Sequence, residues 1–202
     1  MKSSSQRGFT LIEMLVVIAI FGILMSYIVA AASEWMQSAK LRSMSEGIQN
    51  GMRLARTTAV SKNYSGGVLF TVTDTLKAGC QASSSGRNWV VSLTTPVGSC
   101  HSNPNINADP TVSGQAPHIL DKWLGDKNFS LVDVNASHPQ LRFDSLGRTF
   151  SGTAQVEATI DLTVHGKTCT EAGCSLRIML TKAGKVQSCD PQLPDGKAGA
   201  CK

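Results

Sequence analysis

Two kinds of residue in this 202-residue sequence could carry chemistry: one acidic side chain inside a long apolar run, and six cysteines farther along. The apolar run covers residues 9–32, and Glu13 is its only charged residue. A charge inside an apolar membrane helix is energetically unfavourable, so such a residue normally has a partner and a function. Glu13 is therefore the first candidate functional residue.

The cysteines all lie beyond residue 79 and follow one another as three neighbouring pairs: Cys80 and Cys100, Cys169 and Cys174, and Cys189 and Cys201. Six cysteines allow many connectivities, of which neighbour pairing is one. A zinc site needs two close pairs at ligand spacing, such as C-x2-C, and the sequence has none. We therefore expect disulfides rather than a metal, and an oxidising compartment outside the cytoplasm for this part of the chain.

Other residue types give little support for catalysis. The histidines share no ligand spacing and are interpreted as surface residues without a role: His101, His118, His138 and His165. The sequence has no nucleophile elbow, no P-loop and no Rossmann glycine pattern, and its acidic residues are scattered. It therefore predicts no enzyme activity, no metal and no cofactor.

The apolar run must form the element that positions Glu13. At 1.5 Å per residue, roughly 20–24 residues reach across a bilayer of roughly 30 Å. In a secretory signal peptide, a small-residue cleavage site follows the apolar stretch. Here residues 33–36 continue the helical pattern instead, while Lys2 and Arg7 precede the run and would hold the amino end in the cytoplasm.

The segment RGFTLIEMLVVIAIFGIL at residues 7–24 resembles the class III signal of type IV prepilins and pseudopilins. The resemblance implies that a prepilin peptidase cuts between Gly8 and Phe9 and that Phe9 is then N-methylated. Glu13 would lie four residues beyond the new amine, on the same helix face, and would pair with the amine of a neighbouring subunit during assembly. The family usually has a proline at the position of Ala30, so this helix is expected to be less easily kinked or locally melted in the filament.

The rest of the chain predicts a helix followed by β-strands. A helical apolar stripe continues through residues 34–62, and turn residues follow at 63–67. Period-two alternation then predicts strands at residues 68–72, 89–93, 156–164, 176–180 and 184–188, with shorter candidates at 129–134 and 141–143. Residues 144–148 predict a turn, and residues 95–125, rich in Pro, Asn and Gly, predict a long loop.

Three further segments are similar to the GspH/FimT/FimU group of minor pilins: ARTTA at 55–59, FDSLGR at 143–148 and GKVQSCDP at 184–191. This resemblance implies an α+β fold, in which a long amino-terminal helix packs on an antiparallel β-sheet head with disulfides. The expected organisation is a leader at 1–8, a hydrophobic transmembrane and assembly helix at 9–33, and a periplasmic pilin domain at 34–202. Within that domain the helix covers 34–62 and the β-rich head 64–202.

The resemblance leaves three functions open. The chain is expected to be a minor pilin of a type IV pilus, in the tip complex that primes assembly. The alternatives are a type II secretion pseudopilin and a FimT-like DNA receptor. The DNA receptors carry a G-R-x-R motif where this chain has Gly184, Lys185, Val186 and Gln187, so only Lys182 and Lys185 remain as possible DNA contacts.

The charge balance agrees with a subunit that does not depend on nucleic acid. The 19 basic residues exceed the 14 acidic ones by five, and loss of Lys2 and Arg7 with the leader leaves about +3. The expected partners are other major and minor pilins, the prepilin peptidase, the inner-membrane assembly platform and, before assembly, membrane lipid. The expected location is the inner membrane, with one crossing and a periplasmic domain, and then the cell-surface pilus.

Overall fold

The computed structural model describes residues 9–107, 117–125, 131–170 and 172–201, with the backbone alone described for residues 26–34. The chain divides into two compact units, residues 1–36 and residues 37–202. One helix, α1, covers Leu11–Lys62 and contributes residues to both units.

In the first unit, α1 is capped at its amino end and exposed along its apolar run. Thr10 Oγ1 accepts a hydrogen bond from the Glu13 N–H at 3.3 Å, which makes Thr10 the N-cap residue. Every described side chain over residues 9–25 is exposed. Among the residues that the structure describes, no helix is long and apolar enough to cross a membrane.

In the second unit, α1 buries one stripe of its surface in the core of the head. The stripe recurs at helical spacing and each member is at most 2% exposed: Leu41, Met44, Ile48, Met52, Ala55 and Ala59. These side chains form one apolar cluster with residues from both sheets. The helix ends at Lys62 as predicted, where Asn63 takes a positive φ of 48° that asparagine tolerates better than most residues.

The described part of the head contains ten strands in two antiparallel sheets. Their bounds are Val68–Thr73 (β1), Asn88–Ser92 (β2), Ile119–Trp123 (β3), Val132–Ala136 (β4), Gln140–Phe143 (β5), Thr149–Ser151 (β6), Ala154–Gln155 (β7), Ala158–Val164 (β8), Ser175–Leu180 (β9) and Val186–Cys189 (β10). The first sheet has the order β3-β2-β1-β5-β6-β7, and the second has the order β10-β9-β8-β4. The expected α+β class is confirmed.

The predicted strands are present, and several of their ends are shifted. The last strand begins at Val186 rather than at residue 184, because Gly184 has a φ of 76° and belongs to the preceding turn. The strand predicted from 156 begins at Ala158. The turn predicted at 144–148 is closed by the Gly147 N–H, which donates to the Asp144 carbonyl at 2.8 Å. Residues 129 and 130 of the shorter candidate lie outside the described residues.

The long loop predicted over residues 95–125 is wrong in its last part, because Ile119–Trp123 forms β3 at the edge of the first sheet. The charged pair Asp121 and Lys122 interrupts the apolar alternation, so the sequence pattern did not reveal this strand. Trp123 contributes to its packing, with a ring centroid 6.2 Å from that of Trp89 on β2. Residues 108–116 of the predicted loop lie outside the described part of the chain.

Candidate functional site

Glu13 lies in the first turn of α1, where an acidic residue is favoured by the positive end of the helix dipole. Thr10 and Glu13 have the spacing of a capping box, and the structure forms its Thr10 half through the 3.3 Å bond from the Glu13 N–H. Phe9 precedes the helix, and Gly8 lies outside the described residues. Cleavage after Gly8, methylation of Phe9 and charge pairing by Glu13 stay predictions.

The apolar surface around Glu13 is continuous. Over residues 9–25 the large apolar side chains are between 46% exposed, at Met25, and 82% exposed, at Leu11. Soluble monomers rarely expose contiguous apolar patches of this kind, and larger ones mark membrane or protein contacts. Glu13 is the only carboxylate in that described surface, so a partner that covers the apolar residues also encloses this charge.

Arg56 connects the three segments that carry the family resemblance. It lies on α1 within ARTTA, and its Nε donates to the Gly147 carbonyl in FDSLGR at 3.2 Å. Its Nη2 donates to the Ala183 carbonyl, in the turn that leads into GKVQSCDP, at 3.4 Å. The flanking residues Ala55 and Ala59 are fully buried, which lets the helix lie close to the sheets. Arg56 therefore has a structural role, holding two turns against the helix.

The two turns that Arg56 holds also touch each other, and glycine is required where they meet. Gly147 and Gly184 have φ values of 75° and 76°, a region that residues with a side chain rarely adopt. A Cβ placed on Gly184 would collide with the Gly147 carbonyl oxygen. The short family segments therefore mark a packed junction rather than a site for chemistry.

The six cysteines form three disulfides in the neighbour arrangement: Cys80–Cys100, Cys169–Cys174 and Cys189–Cys201. The buried Asp190 links the last two loops. Its Oδ2 accepts from the Gly173 N–H at 2.6 Å, and its Oδ1 accepts from the Gln192 N–H at 2.9 Å. The sequence showed no signal for this carboxylate beyond its place next to Cys189.

Lys182 and Lys185, the possible DNA contacts, lie in and after the turn between β9 and β10, and both are exposed. The Lys182 carbonyl accepts from the Thr149 N–H at 2.9 Å, so this turn lies beside β6. Arg142 on β5 and Arg148, which directly precedes β6, lie over the Phe150 ring, 4.7 and 5.6 Å from its centroid. Arg148 also pairs with Asp144, which reduces the net positive charge of this surface.

One histidine, His118, differs from the surface residue that the sequence predicted. His118 is buried and has a positive φ of 56°. His165 is exposed, but its Nδ1 lies 2.8 Å from the Asp133 carboxylate, which also binds Arg87. Burial alone would raise the pKa of Asp133, but the hydrogen bonds from His165 and Arg87 lower it overall. Among the described residues, no cluster of side chains could hold a metal ion.

Together, these features define a pilin-like subunit: an amino-terminal helix with an exposed apolar segment and one glutamate, and a β-rich head with three disulfides. Residues 3–29 match the Prokaryotic N-terminal methylation motif, and residues 45–184 match the family described as Type II transport protein GspH. The GspH match covers more than half of the chain, so the chain belongs to this family.

A solved structure supports the fold. The type IV minor pilin FimU from Pseudomonas aeruginosa has a TM-score of 0.50 and 16% sequence identity, over 76% of this chain and 90% of that chain. At that identity the likeness concerns the fold alone. None of the curated proteins compared with the chain matches it.

Proposed function

We propose that the chain is a minor pilin of a type IV pilus. In this proposal, a prepilin peptidase cuts between Gly8 and Phe9, the new amine of Phe9 is methylated, and the subunit enters the filament in the tip complex that primes assembly. The observation that carries the proposal is the exposed apolar segment at residues 9–25, in which Glu13 is the only carboxylate and which lies inside the matched methylation motif.

Glu13 would act as the docking residue. A buried carboxylate is unfavourable unless it meets a positive partner, so it penalises every docking depth that leaves it unpaired. The amine of a neighbouring subunit can supply that partner, while the apolar side chains around Glu13 supply the buried area. In this arrangement the apolar surface provides adhesion and the single charge selects the register.

Before assembly, we propose that the apolar segment holds the chain in the inner membrane with the head in the periplasm. Three disulfides in the head support an oxidising compartment. Membrane lipid, the prepilin peptidase and the inner-membrane assembly platform would be the partners at this stage. Other major and minor pilins would replace the lipid once the subunit enters the filament.

A type II secretion pseudopilin is the second candidate, because the matched family is described as a type II transport protein. Both functions use the same helix and the same processing, so the Glu13 chemistry does not distinguish them. Deleting the gene would distinguish the two functions. Loss of surface pili with normal secretion supports the pilus subunit, and loss of secretion with normal surface pili supports the pseudopilin.

DNA uptake is the weaker alternative. Lys182 and Lys185 are exposed, but Gln187 stands where the second arginine of the DNA-receptor motif belongs. We expect the chain to bind duplex DNA no more tightly than roughly 10⁻⁴ M at physiological salt, the weak end of nonspecific binding. Low-micromolar binding that Lys182→Ala or Lys185→Ala weakens would support the receptor instead.

The experiment that tests the docking role compares Glu13→Gln with Glu46→Gln. Glu46 is an exposed carboxylate on the same helix, within the second unit, and serves as the matched control. We expect Glu13→Gln to leave membrane insertion intact and to lower the amount of subunit in sheared filaments at least about tenfold, since the buried ion pair is lost. Equal incorporation of the two variants would show that Glu13 is not the docking residue.

Processing is tested on the same preparations. Intact mass and amino-terminal sequencing of the membrane-extracted chain should show methylated Phe9 as the first residue. An unprocessed chain, or a cut near Ser33, would rule out the prepilin pathway.

A further inference from the structure

The outer edge of the second sheet is a strand whose hydrogen-bonding capacity is only partly used. β10 is the last strand in the order β10-β9-β8-β4. Its register pairs Gln187 with Met179, and the Thr181 N–H donates to the Lys185 carbonyl at 3.1 Å. Because antiparallel pairing alternates, the backbone groups of Gln187 point toward β9, and those of Val186 and Ser188 point outward.

The chain's own tail already uses the next outward position. The Asp190 N–H donates to the Gly199 carbonyl at 2.8 Å, and Asp190 forms a parallel bridge with Ala200. The tail stops there, since the Cys189–Cys201 disulfide turns it back. In the described part of the head, the outward groups of Val186 and Ser188 have no such partner, so the edge can accept a further extended segment.

The free edge opens into a groove whose opposite wall is α1. A cavity of about 510 Å³ lies between Gln49 and Arg53 on the helix, Gln187 and Ser188 on β10, and the tail. A second cavity of about 270 Å³ shares Ser188 and continues past Arg42. Both cavities lie within the second unit, so the groove does not depend on the amino-terminal segment.

Buried polar side chains orient Arg53 at this groove. Ser45 and Gln49 are 2% and 7% exposed, and the Gln49 Nε2 donates to Ser45 Oγ at 3.2 Å. The Gln49 Oε1 in turn accepts from Arg53 Nη2 at 3.1 Å. This chain of hydrogen bonds holds the guanidinium in one direction and leaves several of its N–H donors available.

The charges favour an acidic occupant. Among the described residues, Arg53 has no carboxylate within salt-bridge distance. Asp190, the acidic residue that lines the groove, already accepts two backbone N–H bonds. Glu46 lies one helical turn from Arg42, at the other end of the wall.

We propose that the outward edge of β10 binds an extended acidic segment of a partner subunit, which adds a strand to the second sheet and places a carboxylate on Arg53. Main-chain hydrogen bonds to Val186 and Ser188 would supply affinity, and the guanidinium would select the acidic side chain. The identity of the partner as another filament subunit rests on the proposed function. The site itself does not.

The test is a titration of the isotopically labelled full chain, in detergent micelles, with three seven-residue peptides. The peptides share one alternating Thr-Val frame and carry Glu, Gln or Lys at the centre. We expect the Glu peptide to bind best and to shift the amide signals of Val186 and Ser188. Methylating the peptide nitrogens on one strand edge should abolish binding, because the main-chain hydrogen bonds are then lost.

Arg53→Gln should lower the affinity for the Glu peptide at least about fivefold, since a charge-assisted hydrogen bond is lost. The variant should then bind the Glu and Gln peptides with equal affinity. Lys62→Gln removes a positive charge from the same helix at a residue that lines neither cavity, and this control should change the affinity less than about twofold. Equal binding of all three peptides, or signals that shift elsewhere on the head, would overturn the proposal. So would self-association through β10 without peptide, because the occupant would then be a second copy. The titration needs no filament, so its failure leaves the Glu13 experiment unaffected.

Discussion

The two units of this chain use apolar residues in opposite ways. Over residues 9–25 of the first unit, the apolar side chains are exposed and contain one carboxylate. In the second unit, side chains of the same kinds, such as Leu41 and Ile160, are at most 1% exposed within one shared core. The first unit therefore presents an apolar surface that needs a partner outside the chain, whereas the head buries its apolar side chains in its own core.

This difference predicts how each unit responds to substitution. A side chain added to an exposed helix meets solvent or a partner that can adjust, so the folded chain loses little stability. A side chain added in the head meets close-packed neighbours that cannot move without loss of contacts. The predictions below test that contrast, in order of decreasing effect.

The contact between Gly184 and Gly147 should be the least tolerant point of the head. Gly184→Ala combines a strained positive φ with a collision between Cβ and the Gly147 carbonyl, and we expect it to lower the free energy of unfolding by roughly 4 kcal/mol. Gly152→Ala is the control, because Gly152 also has a positive φ, 59°, but open space around it. It should lose only about 1 kcal/mol in urea unfolding, and equal losses would contradict the packing argument.

The disulfides should stabilise the head in order of their loop lengths. The bridged residues are separated by 20 positions in Cys80–Cys100, by 12 in Cys189–Cys201 and by 5 in Cys169–Cys174. Replacing both cysteines by alanine should lower the unfolding free energy by roughly 3 kcal/mol for the first pair and roughly 2 kcal/mol for the last. Non-reducing peptide mapping checks the connectivity, and a pairing of Cys100 with Cys189 would refute it.

Two glycines on α1 compare the units directly. Gly22→Ala adds a methyl group in open space, so it should raise helicity by circular dichroism, a gain of about 0.5–1 kcal/mol. Gly47→Ala would place its Cβ 2.5 Å from the Trp123 ring, and this crowding should outweigh the gain in helix propensity. We expect a net loss of about 1–2 kcal/mol in thermal unfolding. Stabilisation by both variants would remove the distinction between the two units.

The smallest predicted effect is a pH dependence in the turn at residues 144–148. Burial alone would raise the pKa of Asp144, but the hydrogen bonds from Arg148 and from the Leu146 N–H lower it overall. A lowered carboxyl pKa stabilises the fold above the unfolded value of about 3.9, and this stability is lost as the pH falls through the folded value.

At pH 7, the Asp144→Asn variant should therefore be less stable than the parent chain. Between pH 5 and pH 2, the stability of the variant should fall by less than that of the parent chain. Because Arg148 is 47% exposed, the difference should stay below about 1 kcal/mol. Urea unfolding at several pH values measures it, and parallel curves for the two chains would contradict the assignment.

The sequence predicted the local elements because their signals are local. The helical stripe through Leu41 and Ile48 and the alternation along Val68, Phe70 and Val72 each follow from the side-chain period of one element. The predictions failed where contacts between residues distant in sequence, and not the local side-chain pattern, decided the structure. Trp123 belongs to a strand although Asp121 and Lys122 precede it, and Gly47 is needed because an aromatic ring packs against it.

By itself, the sequence determined which segment forms the apolar part of α1 and which residues of the helix and strands face the core. The tertiary structure alone decided that Arg56 joins Gly147 and Ala183, across separations of 91 and 127 residues, and that Arg53 faces the open edge of β10. Periodicity reports how one element meets its surroundings. It contains no information on which distant turn a guanidinium will reach, because that depends on how the sheets pack on the helix.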